Sequence, residues 1–247
     1  MKTKLGQNFL IDKKVAEREV KYANISKNDV VLEIGPGKGI LTQILAEKAK
    51  KVIAIEIDKN LIDKLDLPEN VELINKDALE IDFNNLNKFN KIVSNLPYQI
   101  SSPITFKFLE YNFELAVLIY QKEFADRLIA NPGNKNYSRL SVNVYYKAIC
   151  ETLETIPKSS FHPQPKVDSS IIKILPRKKP AFKLVNEKFF FSLVKNLFNH
   201  RRKKINTIIN KYYSSLLKNI PYLEKRVEDL TPEQIGNLSN LLFKQIL

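Results

Sequence analysis

Short apolar runs alternate with stretches of helical spacing through the first 175 residues of the chain. Strands that alternate with helices predict an α/β fold, in which a largely parallel sheet carries helices on both faces. The predicted strands are residues 29–34, 51–55, 71–75, 91–94, 115–120 and 170–175. The predicted helices are residues 13–22, 40–49, 103–111, 121–130 and 137–148.

The composition changes after residues 176–180, which read Pro-Arg-Lys-Lys-Pro. We therefore place a domain boundary there and expect one domain at residues 1–180 and a second, small all-α domain at residues 181–247. Helical spacing after a cap at Asn186 predicts a helix that continues into residues 200–204. A capping box with proline at its first helical position starts a last helix at residues 231–234.

Charge is concentrated in the second domain. The chain has a formal charge of +13, and residues 171–212 contain twelve Lys or Arg against one acid, Glu187. This basic stretch ends in the cluster Arg201, Arg202, Lys203 and Lys204, which we predict to contact RNA phosphates. A polyanionic partner is favoured over a membrane, because no apolar run reaches the length of a membrane span. The single Cys150 excludes an internal disulfide and a multi-cysteine zinc site, so we expect a cytoplasmic protein without metal.

A glycine-rich turn follows the first strong strand. Gly35, Gly37 and Gly39 stand between a strand and a helix, where glycine lets a ligand approach the backbone closely. Glu56 ends the next strand, in the position from which an acid accepts hydrogen bonds from a ribose diol. A dinucleotide fingerprint requires a further glycine where this chain has Ile40, so the dehydrogenase interpretation loses weight. The pattern predicts a nucleoside-binding βαβ unit.

The tetrapeptide Asn95-Leu96-Pro97-Tyr98 follows the fourth predicted strand. The exocyclic N6 of adenine is not basic, because its lone pair is delocalised into the ring. Asn95 Oδ1 and the Leu96 carbonyl are suited to accept its N–H bonds, while the Tyr98 ring stacks on the base. An ordinary turn that ends a strand is the alternative. Two other residues carry double interpretations: Asp77 meets an adenine amino group or caps a turn, and Phe161 stacks opposite Tyr98 or belongs to the core.

Together these segments resemble the ribosomal RNA adenine N6-dimethyltransferases, in particular their small-subunit (KsgA-type) branch. The resemblance covers nearly the whole chain, from L-G-Q-N-F-L through G-P-G-K-G, N-L-P-Y-Q-I-S-S-P and F-H-P-Q-P-K-V-D-S-S to F-N-H-R-R-K-K. It implies a class I, Rossmann-like methyltransferase domain that uses S-adenosylmethionine and a small helical domain. It also implies dimethylation of two adjacent adenosines in a loop near the 3′ end of small-subunit ribosomal RNA, by a monomer, during ribosome assembly. The cofactor contacts that it implies are Asn8, Leu10, Gly35, Gly37, Glu56, Asp77 and Asn95. The adenine pocket that it implies is formed by Asn95, Leu96, Tyr98 and Phe161.

Three alternatives remain at this point. Methyltransferases of the erythromycin-resistance type modify large-subunit RNA and share the N-terminal, glycine-rich and F-H-P-x-P signatures, although Gln99 to Pro103 and the basic cluster resemble the small-subunit branch. A protein glutamine methyltransferase uses a similar tetrapeptide, but this chain has Leu96 where that motif has proline. A non-catalytic RNA-binding assembly factor is disfavoured by the intact pocket residues.

Overall fold

The structure, a computed structural model, describes residues 7–213 and 218–246. Leu5 and Gly6, which begin the N-terminal signature, lie outside the described residues. The chain divides into two compact units. The first comprises Met1–Ala125 and Cys150–Pro176, and the second comprises Asp126–Ile149 and Arg177–Leu247.

Strands and helices alternate through most of the first unit, and helices make up most of the second. The strands are β1 (Phe9–Leu10), β2 (Val30–Ile34), β3 (Lys51–Glu56), β4 (Val71–Asn75), β5 (Lys91–Asn95), β6 (Leu115–Gln121), β7 (Ala148–Ile156), β8 (Phe161–His162) and β9 (Ser169–Pro176). The helices are α1 (Lys13–Tyr22), α2 (Ile40–Lys48), α3 (Lys59–Ile62), α4 (Ser101–Phe108), α5 (Lys122–Leu128), α6 (Arg139–Lys147), α7 (Glu187–Phe198), α8 (Ile205–Tyr212) and α9 (Pro232–Ile246).

The first unit contains a seven-stranded sheet in the order β4-β3-β2-β5-β6-β9-β7. Strands β4, β3, β2, β5 and β6 run parallel to one another, and β9 pairs antiparallel with β6. The chain builds outward from β2 to β4 and then returns to the other side of β2 with β5. The strand order therefore reverses between β2 and β5, and ligands bind at such a switch point in open α/β sheets. The predicted α/β class is confirmed.

Local sequence signals explain the well-predicted elements. Asp12 caps α1, since its side chain accepts hydrogen bonds from the backbone N–H groups of Lys14 and Val15. Residues Val31 to Ile34 of β2 are buried, as expected for a central strand covered on both faces. The long strand β7 lies at one end of the sheet and was not predicted. Strands β1 and β8 form a separate antiparallel pair, in which Phe9 faces His162 and Leu10 faces Phe161.

The second unit has an apolar core of its own, and it includes residues that lie before β9 in the chain. Tyr137 and Tyr146 are buried there with Phe190, Leu197 and Leu238. The observed division therefore differs from the single boundary predicted at residue 180: residues 126–149 belong to the second unit, because their aromatic side chains complete its core.

Helix α7 ends earlier than its apolar pattern suggested. Asn186 caps its start as predicted, by accepting a hydrogen bond from the Phe189 N–H group. The helix ends at Phe198, however, so residues 200–204 form a turn rather than a helical continuation. The predicted capping box of α9 is confirmed, because Thr231 and Gln234 exchange side-chain and backbone hydrogen bonds. None of the helices in the described parts of the chain is long and apolar enough to cross a membrane.

Candidate active site

A cavity lies at the carboxyl ends of the parallel strands of the first unit, at the switch point between β2 and β5. Its walls come from five short segments that lie far apart in the sequence. These are residues 7–10, 33–41, 55–57, 76–78 and 95–100, with 39 excepted. The cavity therefore brings together Asn8, Leu10, Gly35, Gly37, Glu56, Asp77, Asn95, Leu96 and Tyr98, which are all but one of the residues predicted for the cofactor and the adenine.

Two positions of the glycine-rich turn require glycine, because a different neighbouring side chain lies close to each of them. Gly35 has φ +71°, and a Cβ atom built on it would lie 3.2 Å from the Pro97 ring. Gly37 has φ +58°, and a Cβ atom there would lie 2.9 Å from Cδ1 of Phe9. Both backbones are in the left-handed region, which side chains other than glycine rarely adopt. The turn is thus packed between the N-terminal arm and the Asn95 tetrapeptide.

Glu56 turns its carboxylate toward the glycine-rich turn. Its Oε2 accepts a hydrogen bond from the Gly37 N–H group at 3.4 Å, and its Oε1 accepts one from the Asp58 N–H group at 2.9 Å. Burial raises the pKa of Glu56, and these backbone hydrogen bonds oppose that shift. A carboxylate held in this way at the end of β3 retains lone pairs for the hydroxyl groups of a ribose.

Asp77 has one of the two roles that the sequence left open. Its Oδ1 accepts a hydrogen bond from the Leu79 N–H group at 2.8 Å, which is the turn-capping role. The same residue lines the cavity. A contact with an adenine amino group remains a prediction for its side chain.

Asn95 is the last residue of β5 and lies beside Ile119 of β6. Its Oδ1 is buried and has no hydrogen-bond partner among the residues that the structure describes. An unpaired buried amide oxygen costs about 1–3 kcal/mol relative to a paired one. A ligand that donates an N–H bond would remove this cost, so the atom is suited to bind an amine.

Leu96 and Tyr98 line the cavity directly after Asn95. Leu96 is 1 % exposed, and Tyr98 begins a 3₁₀ turn of three residues that leads into α4. Burial raises the pKa of the Tyr98 phenol, so the ring is neutral at physiological pH. It presents an uncharged aromatic wall next to Asn95.

The structure does not bring Phe161 to this cavity. Its ring is 2 % exposed and packs in the apolar cluster that contains Leu10, Val15 and Ile171. The residue pairs with Leu10 through the β1–β8 ladder, so it supports the arm that lines the cavity. Phe161 thus lies in the core, and a stacking role for its ring stays a prediction.

Two buried acids interact in the first unit, and one of them, Glu33, lines the cavity. Glu33 in β2 is 1 % exposed, and burial raises its pKa to about 8. Glu19 in α1 is fully buried, and its pKa is raised well above the ordinary value by burial and then by the negative charge of Glu33. Both oxygens of Glu19 and Oε2 of Glu33 lack a hydrogen-bond partner among the described residues.

The basic cluster of the second unit divides into a structural residue and exposed residues. Arg201 donates from Nε to Glu228 Oε2 at 2.9 Å and from its terminal nitrogens to the carbonyls of Asn134 and Lys135. Its guanidinium thus ties three segments of this unit together, and its contact with RNA stays a prediction. Arg202, Lys203 and Lys204 are exposed. The pair of Lys204 with Glu224 is also exposed, and such pairs contribute little.

Sequence reasoning did not single out Phe9 and Lys38, which also line the cavity. The Phe9 ring lies against Gly37, and Lys38 Nζ lies 5.6 Å from the centroid of that ring. Such cation–π contacts favour a fixed ring position. An aromatic residue between the predicted contacts Asn8 and Leu10 was the only sequence signal for this role.

The fold and the cavity define a class I methyltransferase that uses S-adenosylmethionine. The residues fit this cofactor. The turn at Gly35 and Gly37 leaves no room for side chains, and Glu56 offers a carboxylate. Asn95 has a buried oxygen that no described residue pairs with.

Comparison with known proteins identifies the family. The model of the ribosomal RNA adenine dimethylase family matches residues 1–244, so the chain belongs to that family. A probable ribosomal RNA small subunit methyltransferase A from Thermococcus onnurineus is 48% identical over 96% of this chain and 91% of that protein. The protein of the same name from Methanococcus maripaludis is also 48% identical, over 98% of both.

Two solved structures are similar over most of their length. A dimethyladenosine transferase from Plasmodium falciparum superimposes with a TM-score of 0.80 at 32% identity and covers 96% of both chains. The 23S rRNA methyltransferase ErmE superimposes with a TM-score of 0.70 at 30% identity, over 96% of this chain and all of that one. The predicted family, fold class and cofactor are confirmed.

Proposed function

We propose that this protein dimethylates N6 of two adjacent adenosines in a loop near the 3′ end of small-subunit ribosomal RNA, acting on RNA or on a pre-ribosomal small subunit. The observation that carries the proposal is the buried Oδ1 of Asn95 in the cavity next to Tyr98, which has no hydrogen-bond partner in the described parts of the chain. The names of the similar archaeal proteins favour the small subunit, and the chain resembles ErmE less closely than the dimethyladenosine transferase.

The side chains of the cavity have separate tasks in this proposal. S-adenosylmethionine, when bound, supplies an electrophilic methyl group. Glu56 accepts hydrogen bonds from a ribose diol, and Asp77 accepts one from an adenine amino group. Asn95 Oδ1 and the Leu96 carbonyl accept the N–H bonds of the target N6, which keeps its lone pair out of conjugation with the ring. Tyr98 holds the base by stacking, worth roughly 1–3 kcal/mol per base.

Binding of the RNA outside the cavity involves the second unit. Arg202 and Lys203 are exposed, and within the described residues their side chains form no hydrogen bond or ion pair. We propose that they contact phosphates together with Lys204, so that affinity falls as salt concentration rises. The target adenine leaves its stack to enter the cavity, at a cost of a few kcal/mol.

The test is incubation of the protein with labelled cofactor and unmethylated small subunits, followed by mapping of the modified nucleosides. Label at N6 of adjacent adenines near the 3′ end supports the proposal. Label in large-subunit RNA or in protein overturns it in favour of an alternative substrate.

The role of Asn95 is tested by Asn95→Ala. We expect methyl transfer to fall by about a hundredfold or more, comparable to the loss of one polar group that acts on a transition state, while cofactor affinity falls less. Asn85→Ala, at an exposed position of the same unit, is the matched control. Activity of Asn95→Ala near that of the control contradicts the acceptor role.

A further inference from the structure

The Tyr98 hydroxyl forms a hydrogen bond that no part of the proposed mechanism uses. It lies 2.7 Å from Oγ of Ser169, a residue 71 positions later in the chain. Ser169 is 0 % exposed, so the bond is shielded from water on the serine side. We propose that Ser169 is a positioning residue, which holds the Tyr98 ring as the wall against which the target adenine stacks. This inference rests on the proposed function.

The sheet explains why a serine from a distant segment reaches the active site. Ser169 is the first residue of β9, which runs antiparallel to β6, and it lies beside Gln121 at the end of β6. The beginning of an antiparallel strand lies at the edge where the parallel strands end. Ser169 is therefore delivered to the same edge as Tyr98, which follows β5.

The segment before β9 is fixed by its own hydrogen bonds. The backbone carbonyl of Asp168 accepts a hydrogen bond from the Lys122 N–H group at 2.9 Å. The side-chain Oδ1 of Asp168 accepts one from the Lys158 N–H group at 3.0 Å. Ser169 is thus a stationary partner for the phenol.

The Tyr98 ring is less constrained by its backbone than Ser169 is. It belongs to a 3₁₀ turn of three residues, closed by a bond from the Ile100 N–H group to the Pro97 carbonyl. The backbone of such a turn places the Cβ atom but leaves the ring free to rotate about two side-chain bonds. A hydrogen bond at the hydroxyl end fixes the ring at its far end, and the neutral phenol is able to donate it. Base stacking and the distance from Asn95 to N6 both depend on this ring position.

The experiment compares Ser169→Ala, Tyr98→Phe and the double variant in methylation of unmethylated small-subunit RNA. Both single changes delete the same bond and leave the aromatic face in place. Ser170→Ala is the matched control: it removes a neighbouring buried hydroxyl that has no hydrogen-bond partner among the described residues. The measurements are kcat/KM for RNA, the ratio of monomethylated to dimethylated adenine, the Kd of S-adenosylmethionine and the thermal midpoint.

We expect each single variant to lower kcat/KM for RNA about five- to tenfold, as for the loss of one hydrogen bond. The double variant should be no worse than either single variant, because the bond can be lost only once. Monomethylated product should accumulate, and cofactor affinity should match that of Ser170→Ala. The thermal midpoint should fall by only about 2–4 °C, as for the loss of one buried hydrogen bond.

Two results overturn the inference. One is a Ser169→Ala enzyme with the kcat/KM of Ser170→Ala, and the other is a double variant whose loss equals the product of the two single losses. If the wild-type protein labels no adenine of small-subunit RNA, the proposed function fails and the inference with it. If the wild-type protein labels these adenines and Ser169→Ala does so equally well, the inference alone fails.

Discussion

The buried acid Glu33 makes the stability of the first unit depend on pH. Its pKa is raised to about 8 from an ordinary value near 4.5, because burial disfavours the charged form. Between these values the unfolded chain releases a proton that the folded chain retains. The contribution of Glu33 to stability is therefore fully present below about pH 4.5 and is lost as pH rises through 8. The burial of Glu19, whose pKa is raised in the same direction, adds to the effect.

The magnitude follows from the pKa shift of Glu33. Each pH unit between the two pKa values changes the free energy of unfolding by about 1.4 kcal/mol per group. From pH 6 to pH 8 the wild-type protein should therefore lose about 2 kcal/mol through Glu33 alone, after allowance for partial ionisation near pH 8. Glu33→Gln keeps the shape of the side chain and removes the titrating group, so the same pH change should cost the variant less by that amount.

The assay is denaturant unfolding at pH 6, 7 and 8 in the absence of RNA and cofactor. Glu17→Gln, an exposed change in α1, the helix that carries Glu19, should retain the wild-type pH dependence. If the unfolding free energies of Glu33→Gln and the wild type run parallel from pH 6 to pH 8, Glu33 is ionised in the folded protein and the reasoning fails.

Two further pairs of variants separate structural from functional roles. Gly37→Ala should lower the free energy of unfolding by about 1 kcal/mol, because the backbone is left-handed there, and should weaken cofactor binding by displacing Phe9. Gly133 also has a left-handed backbone, with φ +79°, but open space surrounds it. Calorimetry should therefore find the cofactor affinity of Gly133→Ala unchanged. Arg201→Gln should destabilise the second unit by about 2 kcal/mol, because its charged hydrogen bonds to Glu228 and to the Asn134–Lys135 segment are lost. Lys203→Gln should leave thermal stability unchanged and reduce the salt dependence of RNA binding. Equal stabilities of these two variants would show that Arg201 is no more structural than its neighbour.

The elements predicted correctly are those whose bounds are set by neighbouring residues in the sequence. Helix α1 was predicted at its observed bounds, since Asp12 provides a cap and the apolar spacing stops at Tyr22. Strand β4 was also predicted at its observed bounds. By contrast, β1 and β8 exist only because they pair with each other across about 150 residues, and neither contains a signal of its own. The predicted end of α7 was wrong for a similar reason. Arg201 forms hydrogen bonds with residues far away in the sequence, and the apolar pattern does not predict the turn that allows them.

The same distinction separates the parts of the active site. The glycine-rich turn follows β2, and Glu56 and Asn95 are the last residues of β3 and β5. Parallel strands end at one edge, so the class of fold alone brings these residues together. Two contacts of the turn, of Gly35 with Pro97 and of Gly37 with Phe9, depend on side-chain packing between segments. The order of the strands does not specify this packing. Phe161 is the clearest case. Its motif suggested an aromatic wall, yet the β1–β8 pair holds its ring in the core. The N-terminal arm and the Phe161 segment therefore form one structure, so that a change at Phe161 should act on the cofactor side of the cavity through Phe9 and Leu10.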